Sequence, residues 1–266
     1  MNDNGDSRRT DTNDSTPSTA RMYDYFLGGT NNLAVDRAAA TRVSALVPNT
    51  RDLVWENRYF VQRAVRTLAR AGIRQFLDIG AGLPTQGNVH EIALLEAPGS
   101  RTVYVDHDPT VLRHSSVAEL PEASARMVAG DVRDPGAVLA DASLRELIDL
   151  SRPTAVILAA VLHFVTDDEE PGRLVAAFRD GMSPGSHLVL SHLTSDGPAP
   201  TSVAHTEEIY RRASSPLTFR GKATIQAYFD GLTLLPPGLV RPCRWNPDPD
   251  TPAGPGWLYA GVARKA

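Results

Sequence analysis

The chain has 266 residues, of which 42% are hydrophobic and 22% charged, a balance typical of a globular protein with a substantial buried core. The net charge of −4 and the lack of an apolar run of about 18 residues give no reason to expect a nucleic-acid or membrane partner. The single cysteine, Cys243, excludes an internal disulfide, and the N-terminus has no signal-peptide pattern, so we expect a cytoplasmic protein.

The N-terminal part of the chain divides into a polar segment and a helical segment. Residues 1–19 are rich in Asp, Asn, Ser and Thr, so we expect a disordered tail. An aromatic stretch, Arg21–Leu27, and a glycine break follow. Apolar residues at helical spacing then predict helices from about Leu33–Leu46 and Asp52–Arg70. Residues 20–70 are therefore expected to form a helical addition.

From residue 71 the pattern alternates between strands and helices, which indicates a parallel sheet covered by helices on both faces. The predicted strands are Gln75–Ile79, Arg101–Val105, Ala125–Ala129, Thr154–Ala160 and Ser186–Ser191. The predicted helices are Asn88–Glu96, Thr110–Leu120, Asp141–Leu150 and Gly172–Asp180. We expect this core to occupy residues 71–194.

After this core the regular alternation of predicted strands and helices ends. The predicted elements are helices at Thr201–Ala213 and Lys222–Phe229 and strands at Leu232–Leu235 and Gly256–Ala263. Residues 195–230 form an insertion at an edge of the sheet where insertions usually shape a substrate pocket. Residues 231–266 form a closing strand pair. No second core is evident, so we expect residues 20–266 to fold as one domain.

The turn DIGAG, residues 78–82, directly follows the first strand. Glycines such as Gly80 and Gly82 at a strand-to-helix turn let the backbone approach a ligand closely, and the next helix offers free N–H groups. Thr85 stands where the dinucleotide fingerprint has its third glycine, which weakens a pyrophosphate site. A plain tight turn is the alternative interpretation.

Carboxylates also follow the next two strands. Asp106 is placed to accept hydrogen bonds from both ribose hydroxyls of a nucleoside, although a solvated turn or a helix cap is the alternative. We assign Asp108 mainly to capping the helix that begins near Pro109. Asp131 can accept from the exocyclic amine of adenine while the Val132 N–H donates to the ring. Together the three turns favour an adenosine site across the carboxyl ends of the strands.

The motif DxGxG, the acid after the second strand and the GD after the third resemble class I S-adenosylmethionine-dependent methyltransferases. Longer blocks resemble a family of such enzymes common in actinobacteria, over about residues 20–264: ARMYDYFLGGTNNLAVDRAAA, NRYFVQRAVR, GIRQFLDIGAGLPTQGNVHE, VYVDHDP, AAVLHFVTDDEEP and PGSHLVLSHLTSDG. The resemblance implies an α/β, Rossmann-like fold: a mostly parallel seven-stranded sheet with helices on both faces and an N-terminal helical addition. It implies S-adenosyl-L-methionine as cofactor, whereas a small molecule as methyl acceptor is our own leading hypothesis.

The resemblance also implies which residues hold the methionine part of the cofactor. Gly80 and Gly82 would pass under the methionine and ribose parts. Asp78 would anchor the turn and approach the ammonium group of the cofactor through its backbone or a water molecule. Ala159 or Ala160, at the end of the fourth strand, would offer a carbonyl oxygen to the same ammonium group.

On the adenosine side, the resemblance implies a second set of contacts. Asp106 would hold the ribose, and His107 would lie against the adenine. Asp131 and Val132 would recognise the edge of the adenine ring. The last two strands would form the antiparallel hairpin that ends this fold.

The N-terminal block contains an aromatic–glycine–amide cluster of Tyr23, Tyr25, Gly28, Gly29 and Asn31. We predict that it folds over the cofactor as a lid, with Tyr23 and Gly29 in contact with it, because methyl transfer gains from exclusion of water and from alignment. The alternative is that the tyrosines only pack the extra helices onto the sheet.

His163 and His192 follow the fourth and fifth strands, where either could act as a base on a hydroxyl or amine acceptor. A hydrogen-bonded structural role is the alternative for both. The run Asp167–Glu170 is interpreted as a solvated, helix-initiating charge run, and we expect no metal site there. Arg211 and Arg212 could receive an acidic substrate or solvate a helix face, and the second interpretation is the simpler.

Two other functions compete with a methyltransferase. A non-catalytic S-adenosylmethionine-binding sensor or regulatory protein is one, because no catalytic motif is unmistakable. A nicotinamide-dependent dehydrogenase is the other, although the missing third glycine and the carboxylate of Asp131 argue against it. The oligomeric state and the attacked atom of the acceptor are left open by the sequence.

Overall fold

The computed structural model describes residues 15–47, 49–84, 87–117 and 123–266. Three helices come first: α1 (Thr19–Leu27), α2 (Ala34–Leu46) and α3 (Thr50–Arg70). The aromatic stretch that follows the polar segment is thus itself helical. None of the described helices is long and apolar enough to cross a membrane.

The predicted disordered tail extends too far along the chain. Ser18 is buried and forms the N-cap of α1, where its hydroxyl accepts a hydrogen bond from the Arg21 N–H. The carbonyl oxygen of Pro17 accepts a 2.8 Å bond from the Ser214 N–H. Pro17 and Ser18 are therefore part of the folded structure, and residues 1–14 of the predicted tail lie outside the described residues.

Strands and helices alternate after α3 in the predicted manner. The strands are β1 (Gln75–Ile79), β2 (Arg101–Asp106), β3 (Ala125–Ala129), β4 (Ala155–Ala159), β5 (His187–Leu193), β6 (Thr233–Leu234) and β7 (Leu258–Arg264). The remaining helices are α4 (Val89–Glu96), α5 (Pro109–Val117), α6 (Pro135–Ala140), α7 (Ala142–Leu147), α8 (Pro171–Gly181), α9 (Pro200–Tyr210) and α10 (Lys222–Ala227). Helix α6 was not predicted, and the predicted end of α5 at Leu120 lies outside the described residues.

The strands form one seven-stranded sheet in the order β3-β2-β1-β4-β5-β7-β6. Neighbours from β3 to β5 are parallel, and β7 runs antiparallel to both β5 and β6. The predicted mostly parallel sheet with a closing antiparallel pair is confirmed. Because the strand order reverses between β1 and β4, the carboxyl ends of these strands open a crevice suited to a ligand.

Buried apolar side chains fill both faces of the sheet. One cluster packs α6, α7, α8 and α10 against it, and a second packs α3 and α4 against the other face. A third cluster joins α1, α2 and the start of α3 to the insertion after β5, with Phe26, Val43, Phe219 and Trp257 among its members. The N-terminal addition and the insertion therefore share a core of their own above the strand ends.

Candidate functional site

A cavity of about 450 Å³ lies at the carboxyl ends of β1 to β4, and we call it the large cavity. The strand ends contribute Asp78, Gly80, Ala81, Gly82, Leu83, Asp106, His107, Asp108, Gly130, Val132, Arg133, Ala159, Ala160 and Val161. The opposite wall comes from the start of the described chain and from α1 and α3, including Ser18, Tyr23, Asp24, Asn57 and Arg58. The three strand-end turns singled out in the sequence thus meet at one cavity.

The glycine turn after β1 has the backbone that the sequence predicts. Gly80 and Gly82 have φ values of +70° and +68°, in the left-handed region that favours glycine. A Cβ on Gly80 would lie 2.4 Å from the Val161 side chain, whereas nothing lies within 4 Å of the equivalent position on Gly82. Gly80 therefore allows close packing against the β4 turn, and Gly82 leaves bare backbone at the cavity.

Asp106 is anchored by the backbone of two turns. One carboxylate oxygen accepts a 2.9 Å bond from the Gly82 N–H, and the other accepts a 2.9 Å bond from the Asp108 N–H. Each oxygen retains a lone pair for a further donor. Burial raises the pKa of Asp106. The carboxylate is therefore fixed between the first two turns with acceptor capacity toward the cavity.

Asp108 has the capping role assigned from the sequence, and it has a second contact as well. Its carboxylate accepts a 2.7 Å bond from the Thr110 N–H at the start of α5. The other oxygen accepts a 2.8 Å bond from the Ser18 hydroxyl. The segment before α1 is thus tied to the turn after β2, across one side of the cavity.

Asp78 lies on the floor of the cavity and faces Arg58 from helix α3. Burial raises the pKa of Asp78 to about 7, the nearby Arg58 guanidinium lowers it, and Asp106 raises it further. The Arg58 Nε is buried without a hydrogen-bond partner among the described residues. A buried carboxylate and a guanidinium with an unpaired Nε in the walls of one cavity suit a ligand that carries both an ammonium and a carboxylate group.

Tyr23 lines the cavity at one end of a hydrogen-bond chain. Its hydroxyl accepts a 3.0 Å bond from the Asn57 amide, whose oxygen accepts a 2.5 Å bond from the Ser191 hydroxyl. The Ala160 N–H donates to the same Ser191 Oγ at 3.0 Å. Ala160 has a φ of +57°, a strained value for a residue with a Cβ. These hydrogen bonds therefore join α1 and α3 to the strained turn after β4.

Asp131 does not line the large cavity, contrary to the prediction. Its carboxylate accepts bonds from the backbone N–H and the guanidinium of Arg133, at 2.9 and 3.2 Å. Arg133 lines the cavity instead and also bonds Glu169 and the Phe164 carbonyl oxygen. The Asp131 carboxylate, which was predicted to bind adenine, thus forms an ion pair with Arg133. The neighbouring Val132 does line the cavity.

Gly29 is also absent from the lining residues of the large cavity. A Cβ on Gly29 would lie 2.0 Å from the carboxylate of Asp24. That carboxylate accepts bonds from the Asn31 N–H and the Asn32 amide, both at 2.9 Å. The glycine–amide cluster of the sequence therefore wraps a buried aspartate. Tyr25 packs in the N-terminal core and not at the cavity.

A second cavity of about 70 Å³ adjoins the first, and we call it the small cavity. It is lined by Thr19, Tyr23, Phe26, Val43, Val47, Thr50, Leu53, Val54, Asn57, Ala160, His163, Phe164, Leu193, Thr206, Tyr210, Leu217, Phe219, Trp257 and Leu258. Its walls come from the N-terminal helices, the ends of β4 and β5, and the insertion.

His192 does not have the environment of a catalytic base, which corrects the sequence prediction. It is fully buried and lines neither cavity. Its Nδ1 donates to the Leu193 carbonyl oxygen at 2.6 Å, so its Nε2 accepts from the Arg220 guanidinium at 2.9 Å. Burial lowers the pKa of His192 to about 3. The ring is a neutral structural group.

His163 lines the small cavity. Its Nδ1 accepts a 3.4 Å bond from the Leu193 N–H, an arrangement that leaves the proton on Nε2. Burial, with His192 and Arg220 nearby, holds its pKa well below the usual 6.5. At neutral pH the ring is therefore uncharged and better suited to donate a hydrogen bond than to accept a proton.

The remaining charged candidates have structural partners. Asp167 accepts a bond from the buried Arg220 at 2.7 Å, and Glu169 pairs with Arg133, so the acidic run is only partly solvated. Arg211 and Arg212 directly follow the end of α9 at Tyr210, where they are exposed and pair with Glu208 of that helix. They are solvated and line neither cavity, although the helix ends before them and not at Ala213 as predicted.

Sequence reasoning missed Asn57, Arg58, Asp24 and Arg133 as residues of the cavity. A signal for the first two was present, because polar residues interrupt the apolar face of α3. The arginine that follows Asp131 by two residues could have suggested that the carboxylate is paired.

The comparisons with known proteins agree on one family. Residues 4–266 match the family model described as S-adenosyl methyltransferase. A candidate methyltransferase from Thermobifida fusca is 38% identical, with a TM-score of 0.87 over 94% of this chain and 96% of the other. A DUF574 family protein from Streptomyces avermitilis is also 38% identical, with a TM-score of 0.89 over 94% and 98% of the two chains.

More distant structures share the fold alone. Human N-acetylserotonin methyltransferase, solved in complex with S-adenosylmethionine, is 14% identical with a TM-score of 0.51, over 92% of this chain and 62% of the other. A search of curated proteins gave no match.

Proposed function

The chain belongs to the S-adenosyl methyltransferase family and is an S-adenosylmethionine-dependent methyltransferase; on that premise we propose that the large cavity is its cofactor site and that its acceptor is a small molecule. The observation that carries the proposal is that the three strand-end turns meet one cavity whose walls also hold Asp78 and Arg58. The dehydrogenase alternative does not fit the family.

The cavity matches the chemical groups of S-adenosylmethionine. The backbone-anchored carboxylate of Asp106 suits the two ribose hydroxyls, and Val132 and His107 suit the adenine ring. Arg58, with its unpaired Nε, suits the methionine carboxylate, and Asp78 suits the ammonium group. The bare backbone at Gly82 leaves room between these two ends.

When bound, S-adenosylmethionine supplies an electrophilic methyl group, which forms a bond to the acceptor lone pair while the electrons of the S–CH₃ bond remain on sulfur. A hydroxyl or amine acceptor releases its proton to water. Tyr23 and Asn57 would position groups beside Ala160, and the neutral His163 would donate a hydrogen bond to the acceptor. Alignment of this kind is the main contribution that such a site makes to the rate.

The lid prediction is kept in a narrower form. We assign the cover to Ser18 and Thr19 together with Tyr23, since these residues line the large cavity while Tyr25 and Gly29 do not. Ser18 bonds Asp108 and Thr19 bonds Ser214, which ties this segment to two sides of the opening. A covered cavity with negative overall protein charge favours a small acceptor over a nucleic acid.

The test is a calorimetric titration of the protein with S-adenosylhomocysteine, with 5′-methylthioadenosine and with NAD. We expect S-adenosylhomocysteine to bind and NAD not to bind. Arg58→Met should weaken S-adenosylhomocysteine about 10- to 30-fold and leave 5′-methylthioadenosine unchanged, because that nucleoside lacks the amino-acid tail. Tight NAD binding without a response to S-adenosylhomocysteine, or equal losses for both adenosine ligands, would contradict the proposed site.

A further inference from the structure

The two cavities are neighbours that share part of their walls. The shared lining residues are Thr19, Tyr23, Asn57, Ala160 and Phe164. Ala160 lies at the end of β4, in the strained turn held by Ser191. A molecule in the small cavity would therefore adjoin the same turn as the methionine part of a cofactor in the large cavity.

The two cavities differ sharply in charge. The large cavity is lined by the ionisable side chains of Arg21, Asp24, Arg58, Asp78, Asp106, Asp108, Arg113 and Arg133, besides His107. Among the described residues, no Asp, Glu, Lys or Arg lines the small cavity. Its one titratable ring near neutral pH, His163, is held uncharged by burial. A charged group entering the small cavity would lose its hydration without gaining a partner.

The small cavity is unusual for a hydrophobic core. Side chains in protein cores interdigitate and leave few spaces larger than a water molecule. This cavity lies within the core shared by the N-terminal helices and the insertion, among large side chains such as Phe26, Tyr210 and Trp257. Polar atoms reach it from Tyr23, Asn57 and His163, which is the mixed lining of a ligand site.

We infer that the small cavity binds the apolar end of an uncharged methyl acceptor, with the attacked oxygen or nitrogen at the boundary formed by Tyr23, Asn57 and Ala160. The inference rests on the proposed function of the large cavity. The volume of the small cavity is about half that of an engineered cavity that holds benzene, so the small cavity accepts a small alkyl group or the edge of one ring. The remainder of the acceptor extends toward the large cavity.

The experiment compares phenol with benzoate and benzylammonium as probes of the S-adenosylhomocysteine-loaded protein, with binding followed by ligand-observed NMR. We expect phenol to bind at least tenfold more tightly than either charged probe. Val43→Phe and Leu217→Phe fill the cavity from α2 and from the insertion, and each should weaken phenol at least fivefold while S-adenosylhomocysteine affinity stays within twofold. Leu232→Phe, a change of the same kind beside the core that packs α6, α7, α8 and α10 against the sheet, is the matched control.

Leu217→Ala is a second variant in case the filled variants do not fold, since it enlarges the cavity. It should improve binding of 4-tert-butylphenol relative to phenol. Equal binding of charged and uncharged probes, or phenol binding that none of the cavity variants changes, would overturn the inference. The phenol titrations are repeated without S-adenosylhomocysteine, so that binding in the small cavity is also measured independently of the large cavity. Failure of the wild-type protein to bind S-adenosylhomocysteine would count against the proposed function alone.

Discussion

The large and small cavities lie side by side but are built in different ways. The large cavity is made mainly by backbone turns at strand ends, and ionisable side chains surround it. The small cavity is made by apolar side chains of helices that are additions to the sheet. One site therefore selects a charged ligand by paired groups and hydrogen bonds, and the other selects by shape and by the cost of burying charge.

Burial explains why the two predicted histidines do not behave as expected. His163 lines the small cavity and His192 lines neither cavity, but burial keeps both imidazoles neutral. At the large cavity, burial instead raises the pKa of Asp78 to about 7. Perturbed carboxylates of this kind cluster at functional sites.

The largest expected effect is on the charged side. Asp106→Ala removes the acceptor for the Gly82 and Asp108 N–H groups and for the ribose, so S-adenosylhomocysteine affinity should fall by about 100-fold or more. Isothermal titration calorimetry measures the loss, with far-ultraviolet circular dichroism as the check on folding. A folded variant with wild-type affinity would remove Asp106 from the site.

The second effect is that of Asp78→Asn, which should change stability and ligand binding in opposite directions. The folded-state pKa of Asp78, about 7, lies above the ordinary 3.8, so the stability it contributes is full below pH 3.8 and is lost as pH rises through 7. Asp78→Asn should therefore raise the free energy of unfolding of the ligand-free protein by about 2 kcal/mol at pH 8, with little gain at pH 4. It should also weaken S-adenosylhomocysteine.

Urea unfolding at the two pH values measures this change. A stability gain of equal size at pH 4 and pH 8 would show that ionisation of Asp78 is not the cause. Asp108→Asn serves as a control for replacing a carboxylate at this cavity. Because the Asp108 carboxylate caps α5 and bonds Ser18, this variant should not gain stability.

The third effect concerns His192, which lies behind both cavities and not in their walls. Its folded-state pKa of about 3 lies below the ordinary 6.5, so its neutral form stabilises the fold above pH 6.5 and this stability is lost as pH falls toward 3. Between pH 6.5 and 5.5 the loss should be about 1 kcal/mol. His192→Asn keeps a donor for the Leu193 carbonyl oxygen and should remove this part of the pH dependence.

Chemical unfolding at closely spaced pH values gives the slope for each variant. The exposed His205, changed to Asn, is the matched control. A variant at position 192 that retains the full wild-type slope would assign the acid sensitivity to other groups.

The smallest effect lies at the boundary between the cavities. Ala160→Gly should relieve the left-handed strain and raise the free energy of unfolding by about 0.5–1 kcal/mol. Thermal unfolding with and without S-adenosylhomocysteine measures it. A loss of stability would mean that the Ala160 methyl group packs well enough to outweigh its strain.

Much of the sheet could be predicted because its strands are short, apolar and bounded by turns. Strands β1 and β3 begin and end at the predicted residues. Helix α1 was missed because its cap, Ser18, stands in a polar segment that resembles a tail. The turn after β1 could be predicted from its glycines, since their backbone requirement is local.

The orientation of side chains toward the site was harder to predict. Asp131 turns to Arg133 because Glu169 and the Phe164 carbonyl oxygen hold that guanidinium in place, and both come from a loop far along the chain. Arg58 and Asp78 line one cavity only because α3 docks on the sheet. Such contacts depend on tertiary packing, which no local pattern records.

The walls of the small cavity come from chain segments that are distant in sequence, from Thr19 to Leu258. Its shape is set by ordinary apolar side chains, whereas the large cavity depends on backbone angles at Gly80 and Gly82. A single substitution in an apolar wall can change the volume of the small cavity and leave the glycine turns untouched. The fold thus permits relatives to diverge in what they methylate while they retain one methyl donor.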